Sequence, residues 1–308
     1  VIVVNDRSDD GTRGILNELA KAHHKLQVLH LAELPEGWLG KNHALHVGAQ
    51  QAGGEFLLFA DADIVMDSTT IARAINYMLE TGLDHLVLGP EIKMPGVLLK
   101  MMLLTFSVNF MLAFKPWEAQ NPKSKKSIGG GAFSLVRAEA YRASGTLQAI
   151  PMCVDDDLKL GKLIKTHGFR QEFMGGEKMI SLEWYGSVKE MIHGLTKNSF
   201  AMLDYNVPKV AVLSLGMIAL YHWPVLALFL TSGVTQWLNA LAVLVVLLIY
   251  GGMARHLQLS PWLALGFPVT IAMHFYILWR STLITLANGG INWRNTHYSL
   301  RELKQSNI

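Results

Sequence analysis

The chain has a single cysteine, Cys153, among 308 residues, so no disulfide can form within it, which fits a reducing compartment. Net charge is also scarce. Twenty-seven Lys and Arg against 24 Asp and Glu leave a formal +3, without the basic excess of nucleic-acid binding, so no nucleic-acid partner is expected. No internal repeat or low-complexity segment interrupts the chain. A start Met and a leader are missing too. Val1-Ile2-Val3-Val4 already reads as a buried strand, so the chain is expected to have been trimmed upstream. Charge is also missing locally. Residues 1–96 and 116–208 carry charges at ordinary density, whereas from Val210 to Leu286 they nearly vanish.

In place of charge there is apolar surface. Hydrophobic residues make up 51% of the chain, and the mean hydropathy is +0.26, which predicts membrane segments. Blocks 209–231, 234–252 and 262–286 are each long enough to cross ~30 Å of hydrocarbon, the middle one barely. Residues 97–114 form a fourth apolar stretch of similar length. Two domains are expected, a soluble one over 1–208 and transmembrane helices with a cytosolic tail over 209–308.

The N-terminal part alternates. Strands are expected at 1–4, 26–31, 56–60 and 85–89, and helices at 13–23, after Gly40, and at 69–80. Such β-α-β alternation predicts an α/β fold, a doubly wound, mostly parallel sheet with helices on both faces. Ligands of such sheets sit beyond the carboxyl ends of the strands. Two acidic turns fall there. Asn5-Asp6-Arg7-Ser8-Asp9-Asp10-Gly11-Thr12 closes the first strand, where Asp6 and Asp9 can accept hydrogen bonds from a base or ribose. An Asx turn with a helix cap explains them equally well. Asp61-Ala62-Asp63 closes the third strand. Paired carboxylates at a strand end suit a hard cation, Mg²⁺ or Mn²⁺, which brings substrate phosphates with it.

Three more motifs carry chemistry. Gly37-Trp38-Leu39-Gly40-Lys41-Asn42-His43 places Lys41 just before a helix, where a cation and free N–H groups suit a diphosphate. Ser127-Ile128-Gly129-Gly130-Gly131-Ala132-Phe133 permits close backbone approach. Asp155-Asp156-Asp157 precedes a helix at 158–167. Three adjacent acids repel one another, which can raise one toward a useful base value; helix capping is the plainer alternative.

The order of these motifs resembles the family 2 glycosyltransferases of GT-A fold. The resemblance is narrower to the membrane-bound, lipid-glycosylating branch, the hopanoid-associated, carotenoid and ceramide glycosyltransferases, which share Gly-Trp-x-Gly-Lys. The C-terminal Asn292-Trp293-Arg294-Asn295-Thr296-His297-Tyr298 is similar to the Trp-Arg-x-x-x-Tyr ending of that branch. The resemblance implies that Asp6 and Asp9 touch the nucleotide and that Lys41 lies near the diphosphate. Asp61 and Asp63 would form the metal and diphosphate motif, Asp63 being the direct ligand. Gly130, Gly131 and Ala132 would border the acceptor. Alignment on Leu160-Gly161 makes Asp156 and Asp157 the catalytic acid pair and Asp157 the base, with Asp155 leaving a one-residue ambiguity.

Two departures stand out. The family's first strand should precede Val1. The Gln/Arg-x-x-Arg-Trp motif of processive synthases is replaced by Lys197-Asn198-Ser199-Phe200-Ala201, which favours a single sugar transfer. The implied reaction is inverting transfer from a nucleotide-sugar donor to a hydroxyl of a membrane lipid, in a multi-pass protein of a bacterial inner membrane with its catalytic domain cytosolic. The alternatives are a polyprenyl-phosphate sugar transferase or a non-catalytic membrane scaffold.

The metal acids precede residues 97–114 and the base follows them. A single crossing there would split the site between two sides of a bilayer, so an interfacial helix is expected. Lys100, Asn109, Lys115, Trp117 and Lys123–Lys126 fit that position, and a core helix is the alternative. His222 and His274 lie in the apolar blocks, where ionisable groups are functional suspects, although neutral packing fits as well. Arg255 makes the loop after the second block cytosolic, and Arg294, Arg301 and Lys304 do the same for the tail. Three full crossings cannot satisfy both. Either the third block, interrupted by Gly266, Pro268 and Arg280, is re-entrant, or the charge rule does not hold here.

Overall fold

A computed structural model describes residues 1–293 and 296–305. Arg294 and Asn295 of the C-terminal motif lie outside the described residues. In chain order the elements are β1 (Ile2–Asp6), α1 (Thr12–Ala22), β2 (Gln27–Leu31), α2 (Gly40–Gln51), β3 (Phe56–Phe59), β4 (Ile64–Met66), α3 (Thr70–Thr81), β5 (His85–Gly89), β6 (Glu91–Lys93) and α4 (Val97–Phe114). They continue with β7 (Ser134–Arg137), α5 (Ala138–Ala143), α6 (Asp156–Thr166), β8 (Gln171–Gly175), β9 (Ile180–Glu183), α7 (Val188–Ser199), α8 (Val207–Met217), α9 (Trp223–Leu230), α10 (Gly233–His256), α11 (Phe267–Ala287), β10 (Gly290–Trp293), β11 (Thr296–Ser299) and α12 (Leu300–Gln305). The chain divides into two compact units. One holds Val1–Pro90, Pro116–Ser181 and the stretch from Arg301; the other holds Glu91–Lys115 and Leu182–Leu300.

The first unit is mixed α/β. β1 and β2 pair in parallel, Val4 opposite Leu29. A four-stranded sheet runs β3-β7-β5-β8. β5 and β8 are parallel, but β7 is antiparallel to both β3 and β5. The sheet is therefore less parallel than the βαβ pattern predicts. The cause is that the chain re-enters after α4 from the opposite end. An antiparallel insertion places the start of β7 beside the carboxyl ends of β3 and β5, so the loop before β7 meets the turn after β3. β5 is central, with His85, Leu86, Val87 and Leu88 buried, as a strand covered on both faces must be. One core cluster lies between the sheet and α3, around Met78, Leu86, Phe133 and Leu135. A second lies under α5 and α6, around Val136, Tyr141, Leu160 and Ile164. α3 stops at Gly82, whose φ of +65° supplies the left-handed C-cap.

β5 precedes α4 and β7 follows it, and these strands are hydrogen-bonded neighbours, with His85 opposite Val136. A single membrane crossing by α4 would separate them, so α4 does not carry the chain across a bilayer.

The second unit is largely helical. Among the described residues four helical stretches are long and apolar enough to cross a membrane: Val97–Glu118, Val207–Leu230, Gly233–His256 and Pro261–Ala287. Leu104 and Val108 of α4 pack with Tyr250, Ala254, Phe267 and Ile271. Its polar residues find partners in the same bundle. Thr105 Oγ1 lies 2.6 Å from Thr270 Oγ1, and Asn109 accepts from the Tyr221 hydroxyl at 3.3 Å. Between α8 and α9 the helix widens into a π turn, Ile218–His222. Pro224 follows in the first turn of α9, and its missing N–H breaks the regular ladder there. β10 and β11 form an antiparallel hairpin. The Lys197 ammonium lies 3.3 Å from the centre of the Trp293 ring, a cation–π contact.

Candidate functional site

Three sequence-distant loops of the first unit meet at one lysine. Lys41 is the second residue of α2. Its Nζ lies 3.2 Å from Asp61 Oδ1 and 3.3 Å from Asp156 Oδ1. Asp61 follows β3, and Asp156 opens α6. Gly131 ties the same two segments by its backbone. Its carbonyl accepts from Asp61 N–H at 2.8 Å, and its own N–H donates to Asp157 Oδ2 at 2.9 Å. Asp157 Oδ1 takes a second hydrogen bond from Leu158 N–H at 2.8 Å. Among the described residues each Asp157 oxygen accepts one hydrogen bond. The acidic pair after β3, the glycine loop and the acid triplet are thus one cluster.

The glycines allow that approach. A Cβ on Gly129 would strike the Asp157 carbonyl, and one on Gly161 the Ile128 carbonyl. A Cβ on Gly131 would come within 2.6 Å of Asp61 Oδ2. On Gly130 it would meet Val87 Cγ1 at 2.8 Å. Ala132 follows on the way into β7, half-buried.

Asp6 lies against the first residue of α2, because a Cβ on Gly40 would collide with Asp6 Oδ2. It pairs with Arg7 Nε at 2.8 Å. Asp9 is exposed in the following turn, and among the described residues no ion pair or hydrogen bond joins it to the Lys41 cluster. The turn contact into α1 comes from its neighbour, since Asp10 Oδ1 accepts from Thr12 N–H at 3.0 Å. Asp63 is exposed two residues beyond Asp61. Among the described residues no group of three His, Cys, Asp or Glu converges on a metal position.

Two positioning residues are not recognisable from the motifs. Asn42, fully buried, spreads its Nδ2 over the carbonyls of Ile150, Pro151 and Cys153 at 3.0, 3.2 and 2.9 Å. It fastens the Lys41 end of α2 to the segment that leads into the acid triplet. Gln171, also fully buried, accepts from Ile128 N–H at 2.7 Å and donates to Gly161 O at 2.8 Å. It clamps the glycine loop to α6. Asn42 stands inside the Gly-Lys-Asn-His stretch, so its neighbourhood was a signal. Gln171 has none, since it lies outside every motif of the sequence.

Electrostatics follow from burial. Burial alone would lower the Lys41 pKa, but the carboxylates of Asp156, Asp61 and Asp157 outweigh it and push it upward, so Lys41 stays charged. Burial pushes Asp156 up to about 6, against the opposing pull of Lys41, with Asp157 and Asp61 adding repulsion. A raised carboxylate stabilises the fold below its unfolded value near 3.8 and loses that contribution as pH rises through about 6. Over that window the loss is about 3 kcal/mol. Asp156→Asn should therefore gain stability relative to the parent chain as pH rises from 4 to 6. Thermal unfolding of both chains across that range checks it, and a pH-independent difference would remove the assignment.

Residues 1–145 match the sequence profile of Glycosyl transferase family 2. TuaG from Bacillus subtilis (strain 168), which carries the name of a teichuronic acid biosynthesis glycosyltransferase, is 30% identical over 80 residues. That stretch covers 26% of this chain and 30% of TuaG, so the chain spans under a third of that relative. Among solved structures, S. aureus TarS aligns over 96% of this chain and 50% of its own at 16% identity and a TM-score of 0.42. TarS 1–349 in complex with UDP-GlcNAc aligns over 97% and 88% at 14% identity and a TM-score of 0.37. At such scores these two likenesses carry no weight for fold or ligand. The stretch similar to that family includes Asp6, Lys41, Asp61 and Gly131 and ends before Asp156 and Asp157.

Proposed function

We propose that this chain is an inverting glycosyltransferase of GT-A type that moves one sugar from a nucleotide-diphosphate sugar to a hydroxyl of a membrane lipid. The observation that carries the reading is the junction at Lys41, whose ammonium joins Asp61 to Asp156 while Gly131 joins Asp61 to Asp157. Donor-side and acceptor-side acids then share one site. The family 2 match supports the donor class, and the apolar helices support the lipid.

The chemistry follows from charge. A departing nucleoside diphosphate gains negative charge as its bond to the sugar breaks. The Lys41 cation, held in place by two carboxylates, stabilises that charge. Asp6 and Asp9 serve the nucleoside. The acceptor hydroxyl is a poor nucleophile near neutral pH, and Asp157 takes its proton during attack. Asp156 is a positioning residue, because it is buried on Lys41.

Asp61 and Asp63 fit a divalent cation in the way Mg²⁺ sites are commonly built, from one or two carboxylates with the remaining ligands supplied by substrate phosphates and water. Asp63 is the freer donor, since Asp61 is shared with Lys41. When bound, Mg²⁺ or Mn²⁺ would supply positive charge to the leaving diphosphate. Chelation is expected to abolish transfer, Mg²⁺ or Mn²⁺ to restore it, and Asp63→Ala to raise the metal concentration required. Undiminished transfer in excess chelator would remove the metal from the scheme.

The test is direct. The chain in lipid bilayers is offered a panel of labelled nucleoside diphosphate sugars, and the lipid fraction is read by mass spectrometry. Lipid gaining the mass of one sugar is expected. Free sugar alone, with every lipid unchanged, would sink the lipid acceptor.

A further inference from the structure

The turn after β1 holds a residue to which the catalytic scheme gives no task. Arg7 has a φ of +53°, in the left-handed region that glycine enters without cost and other residues avoid. A long charged side chain there is an outlier, and such outliers cluster at functional sites. Its guanidinium lies over its neighbour's carboxylate. Nε donates to Asp6 Oδ1 at 2.8 Å and Nη2 to Asp6 Oδ2 at 3.4 Å. Both Asp6 oxygens are thereby engaged. The Asp6 side chain is 9% exposed and that of Arg7 29%.

The pair stands at the head of α2. A Cβ on Gly40 would come within 3.0 Å of Arg7 Nη2 and would collide with Asp6 Oδ2. Gly40 opens α2, and Lys41 follows it. A second cation therefore stands beside the helix start that carries the first, where anions are favoured. What this turn shows to a ligand is set by the more exposed partner. An ionised carboxylate only accepts hydrogen bonds, so a bare Asp6 would read ribose hydroxyls or the N–H groups of a base. A guanidinium only donates. It suits paired anionic oxygens, which it holds with two parallel hydrogen bonds.

We propose that Arg7 binds the diphosphate of the donor together with Lys41, and that Asp6 is a positioning residue that acts through Arg7. The inference rests on the nucleotide-sugar reading given above and sharpens one part of it, because the direct contact at this turn passes from the carboxylate to the guanidinium. Arg7 then determines affinity for the phosphates and not for the base. The Asp6 carboxylate fixes the guanidinium before the donor arrives, so less side-chain freedom is lost on binding.

The test uses the full chain in nanodiscs with UDP, GDP, ADP and CDP and their matching nucleosides as probes. Affinities are read by ligand-observed NMR, which reaches weak binding. Arg7→Met should weaken whichever diphosphate the parent chain binds by roughly ten- to hundredfold, the size of a hydrogen bond to a charged group, and leave the matching nucleoside unchanged. Arg7→Gly should do the same while the chain stays folded, since glycine suits a φ of +53°. Arg7→Lys should restore only part of the affinity, because a point charge replaces the fork. Asp6→Asn should weaken diphosphate binding in the parent chain and have no further effect beside Arg7→Met, a coupling that a separate nucleoside contact would not produce. Unchanged diphosphate affinity in both Arg7→Met and Arg7→Gly would overturn the proposal. Equal loss of diphosphate and nucleoside affinity would overturn the assignment to phosphate, and additive effects of Asp6→Asn and Arg7→Met would overturn the positioning role. A parent chain that binds no nucleoside diphosphate would overturn the donor reading itself, so the two failures are distinguishable.

Discussion

Asp157→Asn is expected to lower sugar transfer by about two to four orders of magnitude while donor affinity changes little. The carboxylate is the only proposed proton acceptor for the lipid hydroxyl, and an amide cannot replace it. Structure is largely retained, but not wholly. Asp157 accepts from Gly131 N–H on one oxygen and from Leu158 N–H on the other, whereas Asn offers one oxygen. One of these N–H groups loses its partner, which costs roughly 1–3 kcal/mol. Donor binding and thermal stability, measured beside the transfer rate, separate that loss from the chemistry. A rate reduced less than tenfold would instead favour a lipid-phosphate acceptor, which needs no strong base.

The local elements of this fold were legible because their signals are local. α4 runs over Val97–Phe114, the limits of the apolar stretch at 97–114. The third apolar block begins as a short 3₁₀ segment, Pro261–Gly266, before α11; Gly266 and Pro268 mark that irregularity in the sequence. The sheet order was not legible. Nothing within Ser134-Leu135-Val136-Arg137 says that this strand will enter antiparallel between β3 and β5, because the choice depends on pairings with distant segments. The missed strand explains the partly missed role of the glycine loop. Gly130, Gly131 and Ala132 were expected to border the acceptor. The antiparallel entry of β7 makes Gly131 the peptide that also links Asp61 to Asp157.

The acid triplet shows the same division. Its place at a helix start was readable from Asp155-Asp156-Asp157 before Leu158, and α6 opens at Asp156. The different tasks of two adjacent acids were not readable. They follow from the helix turn, which directs Asp156 inward to Lys41 and Asp157 toward the Gly131 peptide. Asn42 and Gln171 hold these pieces through carbonyls and N–H groups of distant backbone. Backbone partners leave no trace in side-chain patterning.

Gly161→Ala should destabilise the first unit by about 3 kcal/mol or more, against the usual sign for a helix interior. Ala is normally the better helix former by roughly 1 kcal/mol. Gly161 lies inside α6, yet an added Cβ would strike the Ile128 carbonyl and come within 3.0 Å of Gly129 N. Both are backbone atoms, so no side chain can swing aside. α6 and the 128–131 segment would have to separate, and overpacking of this kind typically costs 1–3 kcal/mol before other bonds are lost. Separation also stretches the Gln171 bridge between Ile128 and Gly161 and the hydrogen bond from Gly131 to Asp157. Transfer should therefore fall even in the fraction that remains folded. Gly14→Ala is the control. Gly14 lies in α1 with nothing within 4 Å of its would-be Cβ, so helix propensity acts alone and a gain of up to about 1 kcal/mol is expected. Denaturant or thermal unfolding of both variants decides the matter. If both gain stability, α6 and the glycine loop are not in the close contact that brings Asp157 to Asp61.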